Sequence, residues 1–524
     1  MGNISLLDCT LRDGGYINDW KFGKECIRTI LSKLSSSGVE IIELGFLKEV
    51  DYDPNISIFP NIESINNIII KKEPSVLYVG MIDIKSAIPI EKIAVCDGKT
   101  LDGIRVIFKK EKLDEAFLYC QKIKDLGYKL FVNFVSTDAY DDIEFAEAVR
   151  RFNSLKPYCM AIVDTFGMMK KKQFKRLVEI ADRNMLDDIA LGYHAHNNLQ
   201  QAMGNAEEMV EMNLKREVVI DACVFGMGRG AGNLNLELFA EFLNENYNKK
   251  YQISPILEIM DGYLSEIYHK RFWGYSLPLY MSATLGCHPN YAIYYEEKNT
   301  LTEKEFYEIL KSISEKDKRD FSKETAELYY QRFFKNTVDD EQTICKLKEE
   351  FCGKRILVIA PGQSILKYEN DILENVDTDT KVVLINFYDN RWKADYIFTS
   401  NVRRFSKIVE NDVNCKMIVS SNVRGYKKAD YMVNYMSYCS GEKEVSANAS
   451  LMFLRLLIRL DVREVLIAGM DGYKNTNINN YFNDDFENTH ILRKDNRNNL
   501  IAEELKVISK KLNFSFITPT RYKL

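Results

Sequence analysis

The strongest constraint on the fold is an alternation that fills roughly the first 240 residues. Eight short apolar, β-rich runs alternate there with longer segments of helical period. This pattern predicts βαβ units and a parallel sheet, and eight repeats in that length match a closed barrel better than an open sheet. We therefore expect an α/β chain whose residues 1–250 form a (β/α)8 TIM barrel. The runs are ISLLDCT, VEIIELGF, SVLYVGMI, LDGIRVIF, YKLFVNFV, YCMAIVD, DIALGYHAH and EVVIDACVF.

The rest of the chain shows two further patterns. Between residues 251 and 350 the strand signal vanishes, and Thr302 and Glu305 have the spacing of a capping box that opens a helix. We expect a helical extension and connector there. Over residues 351–524 seven further apolar runs alternate with helical segments, which predicts a doubly wound, Rossmann-like α/β domain.

Charge and composition argue against several classes of protein. Lys plus Arg total 71 against 76 Asp plus Glu, so the sequence indicates no basic surface for nucleic acid. Charged residues at positions 8, 12 and 13 leave no room for a signal peptide, and arginine interrupts the longest apolar stretches. Eleven cysteines without a C-x-x-C pair indicate free thiols. We expect a cytoplasmic homo-oligomer without a membrane or nucleic-acid partner.

The first motif that could contribute to catalysis or binding is DCTLRDGG, at the end of the first predicted strand. Active sites of α/β barrels lie at the carboxyl ends of the strands, so Arg12 and Asp13 stand where chemistry would occur. The two glycines that follow permit a tight turn. The alternative interpretation is an ordinary solvated Arg-Asp loop.

The second motif is GYHAHNN, at the end of the seventh run. Side chains two apart on a strand share a face, so His194 and His196 can both point into the barrel mouth. In a chain with five histidines, an H-x-H by chance has an expected count of roughly 0.05. Two histidines with a carboxylate suit Mn, Mg, Fe or Zn and leave positions open for substrate oxygens. Packed histidines without a metal are the alternative.

The third motif is FGMGRGAGN, directly after the eighth run. Its four glycines permit close backbone approach, and loops after the last barrel strands often bind anions. Phosphate binding and a plain tight turn both fit this pattern. Asn233 lies closer to the expected barrel axis than the glycines, and is the better candidate to bind a metal.

Together and in this order, the three motifs resemble the metal-dependent pyruvate-aldolase and acyl-lyase superfamily over about residues 1–290. That superfamily includes 4-hydroxy-2-oxovalerate aldolase, hydroxymethylglutaryl-CoA lyase and isopropylmalate synthase. The resemblance implies a divalent metal, Mn or Mg, and an Arg12 that stabilises an enolate oxygen. It implies that a C–C bond of a 2-oxo acid is made or broken, with an aldehyde as partner. The implied metal ligands are Asp13, His194, His196 and Asn233.

The general base is the point where the sequence departs from this superfamily. The position four after the arginine, a histidine in the oxovalerate aldolases and a glutamine in the acyl lyases, is Tyr16 here. Tyrosine, with an ordinary pKa near 10, is a poor base. His288 is a second candidate that would reach over the mouth, although a core or interface histidine is the alternative. Other polar residues near strand ends are candidates to contact substrate or support the ligands: Asp8, Thr10, Glu43, Asp83, Arg105, Asn133 and Asp164.

The C-terminal segment suggests a nucleotide site. KRILVIAPGQSI places a strand before a glycine turn, the usual nucleotide position in an open α/β sheet, although G-x-G-x-x-G is absent. APGQSI, LINFY, ADYIFTSN, VSANASLMF and IAGMDGY are similar to the Rossmann-like domains of bacterial sialyltransferases and motility accessory factors. Ala360 replaces the asparagine that sialyltransferases carry before G-P-S. The resemblance implies a nucleotide-sugar pocket and a role in surface-glycan biosynthesis. The implied pocket residues are Gly362, Ser364, Asn386, Asn401 and Ser446.

Three functional hypotheses follow. The first is a bifunctional enzyme with a metal-dependent aldolase or lyase barrel. The second is a Claisen-type condensing enzyme that uses the same metal and arginine with acetyl-CoA. The third is a barrel that serves as a non-catalytic scaffold, with the C-terminal domain as the active part.

Overall fold

The computed structural model describes residues 2–69, 72–298, 300–335, 338–423, 429–440, 445, 447–474, 480–483, 486 and 496–523. The chain divides into two compact units, Met1–Pro289 and Asn290–Leu524. This division falls inside the helical segment predicted for residues 251–350. Its helices up to residue 284 lie in the first unit, and those from residue 303 onward lie in the second.

Eight parallel strands close into a barrel in the first unit, as the alternation predicts. The ring closes because β1 pairs with β2 on one side and with β9 on the other. The two-residue β3 pairs with β2 outside the ring. The strands are β1 Ile4–Asp8, β2 Ile41–Leu47, β3 Ile58–Phe59, β4 Leu77–Asp83, β5 Gly103–Phe108, β6 Lys129–Phe134, β7 Cys159–Asp164, β8 Ala190–Ala195 and β9 Val218–Ala222.

Helices cover the outside of the barrel and bury one face each. The helix Lys171–Asn184, for example, buries Phe174 and Leu177 against the strands and leaves its lysines in solvent. Inside the barrel, Leu7, Phe131 and their neighbours form a separate apolar cluster. The helices of this unit are Thr10–Asp13, Gly15–Asn18, Lys24–Ser37, Leu113–Asp125, Asp142–Asn153, Lys171–Asn184, Ala202–Glu211, Leu236–Tyr247, Ile253–Ile259, Ser265–Lys270 and Leu277–Thr284.

The second unit contains one parallel sheet with helices, which fits the predicted C-terminal α/β domain. Its order is β14-β13-β12-β11-β10-β15-β16, so the order in which the chain adds parallel strands reverses between β10 and β15. Such a reversal opens a crevice at the carboxyl ends of the two strands. The strands are β10 Arg355–Ile359, β11 Thr380–Ile385, β12 Tyr396–Thr399, β13 Lys416–Ser420, β14 Tyr431–Val433, β15 Glu464–Ala468 and β16 Asn513–Phe516.

The helix Glu303–Ser312 begins with the predicted capping box: Thr302 Oγ1 accepts from the Glu305 amide, and the Glu305 carboxylate accepts from the Thr302 amide. Among the described residues, no helix is both long and apolar enough to cross a membrane. The other helices of this unit are Glu315–Lys318, Lys323–Phe334, Glu341–Phe351, Ser364–Lys367, Glu369–Leu373, Val402–Val409, Tyr435–Tyr438, Ala449–Arg459 and Arg497–Ser509, and Pro289–Lys298 spans the division.

Candidate metal centre

The mouth of the barrel brings one carboxylate and two imidazoles together. Ligand atoms of Asp13, His194 and His196 all lie within 4.8 Å of one another, and the three residues are buried. Asp13 Oδ2 is 3.3 Å from His194 Nε2 and 4.0 Å from His196 Nε2. Asp13 ends the short helix after β1, while the histidines lie at the end of β8. The three side chains are therefore close enough to share one ion.

Two of these groups have the protonation states that a cation requires. Burial alone would raise the pKa of Asp13, but Arg12 and the two histidines hold that pKa well below its ordinary value. Burial lowers the pKa of His196 to about 4, although Asp13 opposes this shift. At neutral pH Asp13 is therefore a carboxylate and His196 a neutral imidazole, the forms that ligate metals.

Asp221, on β9, orients the third group. Its Oδ2 is 3.0 Å from His194 Nδ1, and it forms a buried ion pair with Arg105. Burial opposes the charged imidazole, but Asp13 and Asp221 raise the pKa of His194 well above its ordinary value. At neutral pH this imidazole is therefore protonated on both nitrogens, and a cation that binds at Nε2 would release that proton while Nδ1 keeps donating to Asp221. The sequence analysis missed Asp221; the signal was a lone carboxylate inside the apolar run EVVIDACVF.

Asp221→Asn should weaken divalent-cation binding by about 10–100-fold, because a carboxylate that fixes a ligating histidine typically contributes that much. Calorimetric titration of the metal-free full-length protein with Mn²⁺ measures the change in affinity. Asp182→Asn is the matched control, because Asp182 also pairs with a buried arginine, Arg216, at 2.6 Å but is not part of the ligand group. Equal affinities for Asp221→Asn and wild type would refute this role.

Asn233 and the glycine loop complete the group. Asn233 Oδ1 is buried and accepts no hydrogen bond from the described residues, whereas its Nδ2 donates to Cys223 Sγ at 3.1 Å. A Cβ atom at Gly228 would lie 2.4 Å from Asn233 Nδ2 and 3.1 Å from Asp13 Oδ1. Only glycine therefore lets the loop approach these two side chains this closely. An acceptor oxygen left without a partner beside a carboxylate and two imidazoles fits a bound cation.

Arg12 lies directly beside these groups. Its guanidinium forms an ion pair with Asp13, and its Nε donates to Glu43 Oε2 at 2.8 Å. Burial opposes the charge, but Glu43 and Asp13 raise the pKa of Arg12 well above its ordinary value. Glu43 also lies 3.1 Å from Arg105, so the arginines are held in one buried network. A fixed positive charge at this place can stabilise an oxyanion.

Comparison with known proteins identifies this unit. Residues 3–261 match the family model described as HMGL-like. The N-terminal unit is an HMGL-like domain. The resemblance that the three motifs predict over this part of the chain is thereby confirmed, and the metal-ligand candidates all fall within the matched residues.

The HMGL-like domain is similar to two differently named kinds of enzyme. An oxaloacetate decarboxylase of Mycobacterium tuberculosis is 22% identical over 232 residues, which are 44% of this chain and 67% of that enzyme. A 4-hydroxy-2-oxovalerate aldolase of Thermomicrobium roseum is 26% identical over 258 residues, 48% of this chain and 69% of that enzyme. The carboxyl transferase domain of Rhizobium etli pyruvate carboxylase matches with a TM-score of 0.50 at 13% identity. This match covers 66% of this chain and 65% of that one, and it shows the fold alone.

The two candidate bases, Tyr16 and His288, both lie near Arg229 of the glycine loop. The Arg229 guanidinium is 5.7 Å from the Tyr16 ring centre, and its Nη2 is 2.6 Å from His288 Nε2. Burial and Asp13 raise the pKa of Tyr16. Its hydroxyl therefore stays protonated, and it can donate a hydrogen bond but cannot act as a base. Burial, Arg229 and two lysines lower the pKa of His288 to about 2, so its imidazole is neutral. Sequence reasoning had not singled out Arg229.

Four of the remaining predicted residues hold turns of the HMGL-like domain. Asp8, whose pKa burial raises to about 7, accepts from the Thr10 amide at 3.0 Å and from Thr10 Oγ1 at 2.7 Å. Asp164, whose pKa burial also raises to about 7, accepts from the amides of the loop after β7. Asp83 accepts from the Lys85 amide at 2.9 Å.

Asn133 differs from these turn residues. It is buried on β6, and its Oδ1 accepts no hydrogen bond from the part of the chain that is described.

Two of the predicted nucleotide-site residues lie close together in the second unit. Gly362 and Ser364 lie after β10, where the Gly362 amide donates to Gly469 O at 3.0 Å and the Ser364 amide to Asp471 Oδ2 at 2.8 Å. These contacts are at the reversal between β10 and β15.

Asn386 and Asn401 follow other strands, and their side chains hold local turns. Asn386 Oδ1 accepts from Thr399 Oγ1 at 2.8 Å, and Asn401 Oδ1 accepts from the Arg404 amide at 3.0 Å. Ser446 lies outside the described residues.

Proposed function

We propose that the HMGL-like domain is a divalent-metal-dependent carbon–carbon lyase that acts on a 2-oxo acid, with chemistry like that of 4-hydroxy-2-oxovalerate aldolase. The observation that supports this proposal most is the single group of Asp13, His194 and His196 beside Arg12. A cation held by these residues and Asn233, Mn²⁺ or Mg²⁺, would supply Lewis-acid stabilisation to the carboxylate and keto oxygens of the acid.

The chain's own residues supply the other requirements of such a reaction. Arg12 is charged at every physiological pH and stabilises the negative charge that develops on the enolate oxygen when the C–C bond breaks. Tyr16 donates a hydrogen bond to the oxygen of the aldehyde that forms. His288 is neutral, but burial and three cations lower its pKa to about 2, so it accepts a hydrogen bond and is not the base; the proton of the alcohol passes to solvent.

A product assay separates this proposal from the Claisen-type alternative. Purified full-length protein is supplied with Mn²⁺ or Mg²⁺, pyruvate and a panel of aldehydes, and in parallel with acetyl-CoA and 2-oxo acids. We expect pyruvate-dependent formation of 4-hydroxy-2-oxo acids, and pyruvate release from them in reverse. Release of free CoA without any pyruvate turnover would refute the aldolase proposal and support the condensing enzyme.

For the second unit we propose a binding site for a nucleotide or nucleotide-linked sugar, in a protein of surface-glycan biosynthesis. The support is the crevice between β10 and β15, where Gly362 and Ser364 lie. Calorimetry of the full-length protein with CMP, UDP and ADP tests this proposal. Saturable binding of one nucleotide is expected, and no binding of any would contradict it. The cytoplasmic location and the homo-oligomeric state stay predictions.

A further inference from the structure

The candidate metal centre takes its residues from two kinds of backbone. The two histidines lie at the end of β8, where the ladder to β7 fixes the chain by pairing His194 with Val163. Asp13 ends a four-residue helix and Asn233 belongs to the glycine loop, so neither lies in a strand of the barrel. A ligand that a strand does not carry needs other contacts to hold its segment in place.

Trp20 holds the segment that carries Asp13. The helix Thr10–Asp13 is only one turn long, so the carbonyls at its end need partners from outside the helix. Trp20 Nε1 donates to Arg12 O at 2.7 Å. This carbonyl belongs to the peptide bond between Arg12 and Asp13. The indole therefore fixes the peptide that joins the candidate ligand to the arginine beside it.

The backbone that brings this indole into place is strained. Asp19 has a φ of 55° and Trp20 a φ of 59°, in the left-handed region that bulky side chains rarely adopt. A Cβ atom at Gly15 would lie 2.0 Å from Trp20 Cδ1, so only glycine lets the ring lie over this turn. The ring also packs against Tyr16 at 4.9 Å and Phe46 at 5.7 Å. Strain of this kind persists where surrounding contacts fix it, and it is common at functional sites.

Trp273 makes the same contact with the glycine loop. Its Nε1 donates to Phe225 O at 2.9 Å, and Phe225 also has a left-handed φ, of 52°. The next carbonyl along the chain, that of Gly226, accepts from the Asn233 amide at 2.9 Å. The indole of Trp273 therefore fixes the peptide next to the one that holds the backbone of Asn233.

We propose that Trp20 and Trp273 are positioning residues of the candidate metal centre. Trp20 positions Arg12 and Asp13 through the peptide that joins them. Trp273 positions Asn233 through the glycine loop. An indole N–H only donates hydrogen bonds, so both tryptophans act through the carbonyls that they hold and not on the cation or the substrate. This inference rests on the proposed metal-dependent function.

Tryptophan-to-phenylalanine variants test the proposal, because they keep an aromatic ring and remove the N–H. Calorimetric titration of metal-free full-length protein should show Mn²⁺ binding about 3–10-fold weaker in Trp20→Phe and in Trp273→Phe, the usual contribution of one hydrogen bond. Trp392→Phe is the matched control. Trp392 lies in the apolar core of the second unit, and its Nε1 donates to no residue that the structure describes. The control should bind Mn²⁺ as the wild type does.

Turnover at saturating Mn²⁺ separates the roles of the two tryptophans. Trp20→Phe should lower kcat by about 3–10-fold, because it also releases Arg12, whereas Trp273→Phe should keep kcat within about twofold of the wild type. A purely structural role would lower the melting temperature of the variants without these changes in affinity and kcat. Wild-type Mn²⁺ affinity in folded Trp20→Phe and folded Trp273→Phe would overturn the proposal.

Hydrogen–deuterium exchange separates this inference from the proposed function, because it needs neither metal nor substrate. Peptide mass spectrometry of the metal-free protein should show faster exchange over residues 10–16 in Trp20→Phe and over residues 224–233 in Trp273→Phe, with neither change in the control. If these changes occur and no aldehyde reacts, the positioning role stands and the aldolase function falls. If aldehydes react while exchange and Mn²⁺ affinity are unchanged in both variants, the aldolase function stands and this inference falls.

Discussion

Asp13→Asn should lower kcat/KM of the aldolase reaction by at least about 10³, which corresponds to about 4 kcal/mol of lost transition-state stabilisation. The amide keeps the shape of the carboxylate but is neutral, so it ligates a divalent cation more weakly. It also removes the anion that pairs with Arg12 and faces both histidines. Steady-state kinetics at saturating Mn²⁺ or Mg²⁺, together with a metal titration, measures the effect.

The fold should survive this change, because Arg12 keeps its ion pair with Glu43 at 2.8 Å. Thermal melting of the variant tests that point. Asp102→Asn is the control. Asp102 also forms an ion pair, with Lys72 at 2.6 Å, but it is not one of the candidate metal ligands. Wild-type turnover in folded Asp13→Asn would show that this carboxylate takes no part in the reaction.

The second large effect is expected at Arg12. Arg12→Lys should reduce kcat by about 10²–10³, the usual effect of removing one donor to an oxyanion, while the divalent cation still binds. Lysine keeps the positive charge, so Glu43 is not left without a cation. It lacks the planar fork through which Arg12 reaches Glu43 and Asp13 at once, and a lysine at this site would be displaced from the enolate oxygen.

Metal affinity distinguishes Arg12→Lys from Asp13→Asn. The Arg12 variant should bind Mn²⁺ within a few-fold of the wild type, whereas the Asp13 variant should not. Arg150→Lys on an outer helix, where Arg150 Nη1 contacts Asn184 Oδ1 at 2.8 Å, controls for the loss of a guanidinium. Full activity of Arg12→Lys would remove Arg12 from the mechanism.

The sequence predicts the barrel and the closeness of Asp13 to the H-x-H pair for a local reason. Each strand is a continuous apolar run, since parallel strands are buried on both faces. The chemistry of a barrel is concentrated where these runs end, so Asp13 and the H-x-H pair can be placed at one mouth without coordinates. The carboxyl end of β8 puts both imidazoles on one face.

The contacts that the sequence does not reveal are those between distant segments. Asp221 acts on His194 because β8 and β9 are neighbours in the ring, and Arg229 meets His288 across a separation of 59 residues. Neither contact has a local pattern. In the second unit, Asn386 accepts from Thr399, a contact that likewise depends on how β11 and β12 pair.

The metal content of the purified protein tests the central claim most directly. After saturation with Mn²⁺ and removal of the excess by gel filtration, elemental analysis should find about one Mn per chain in the wild type. It should find much less in His194→Ala and His196→Ala that remain folded by circular dichroism. A wild-type protein that retains no divalent cation, or variants that retain as much as the wild type, would contradict a shared cation site at Asp13 and the two histidines.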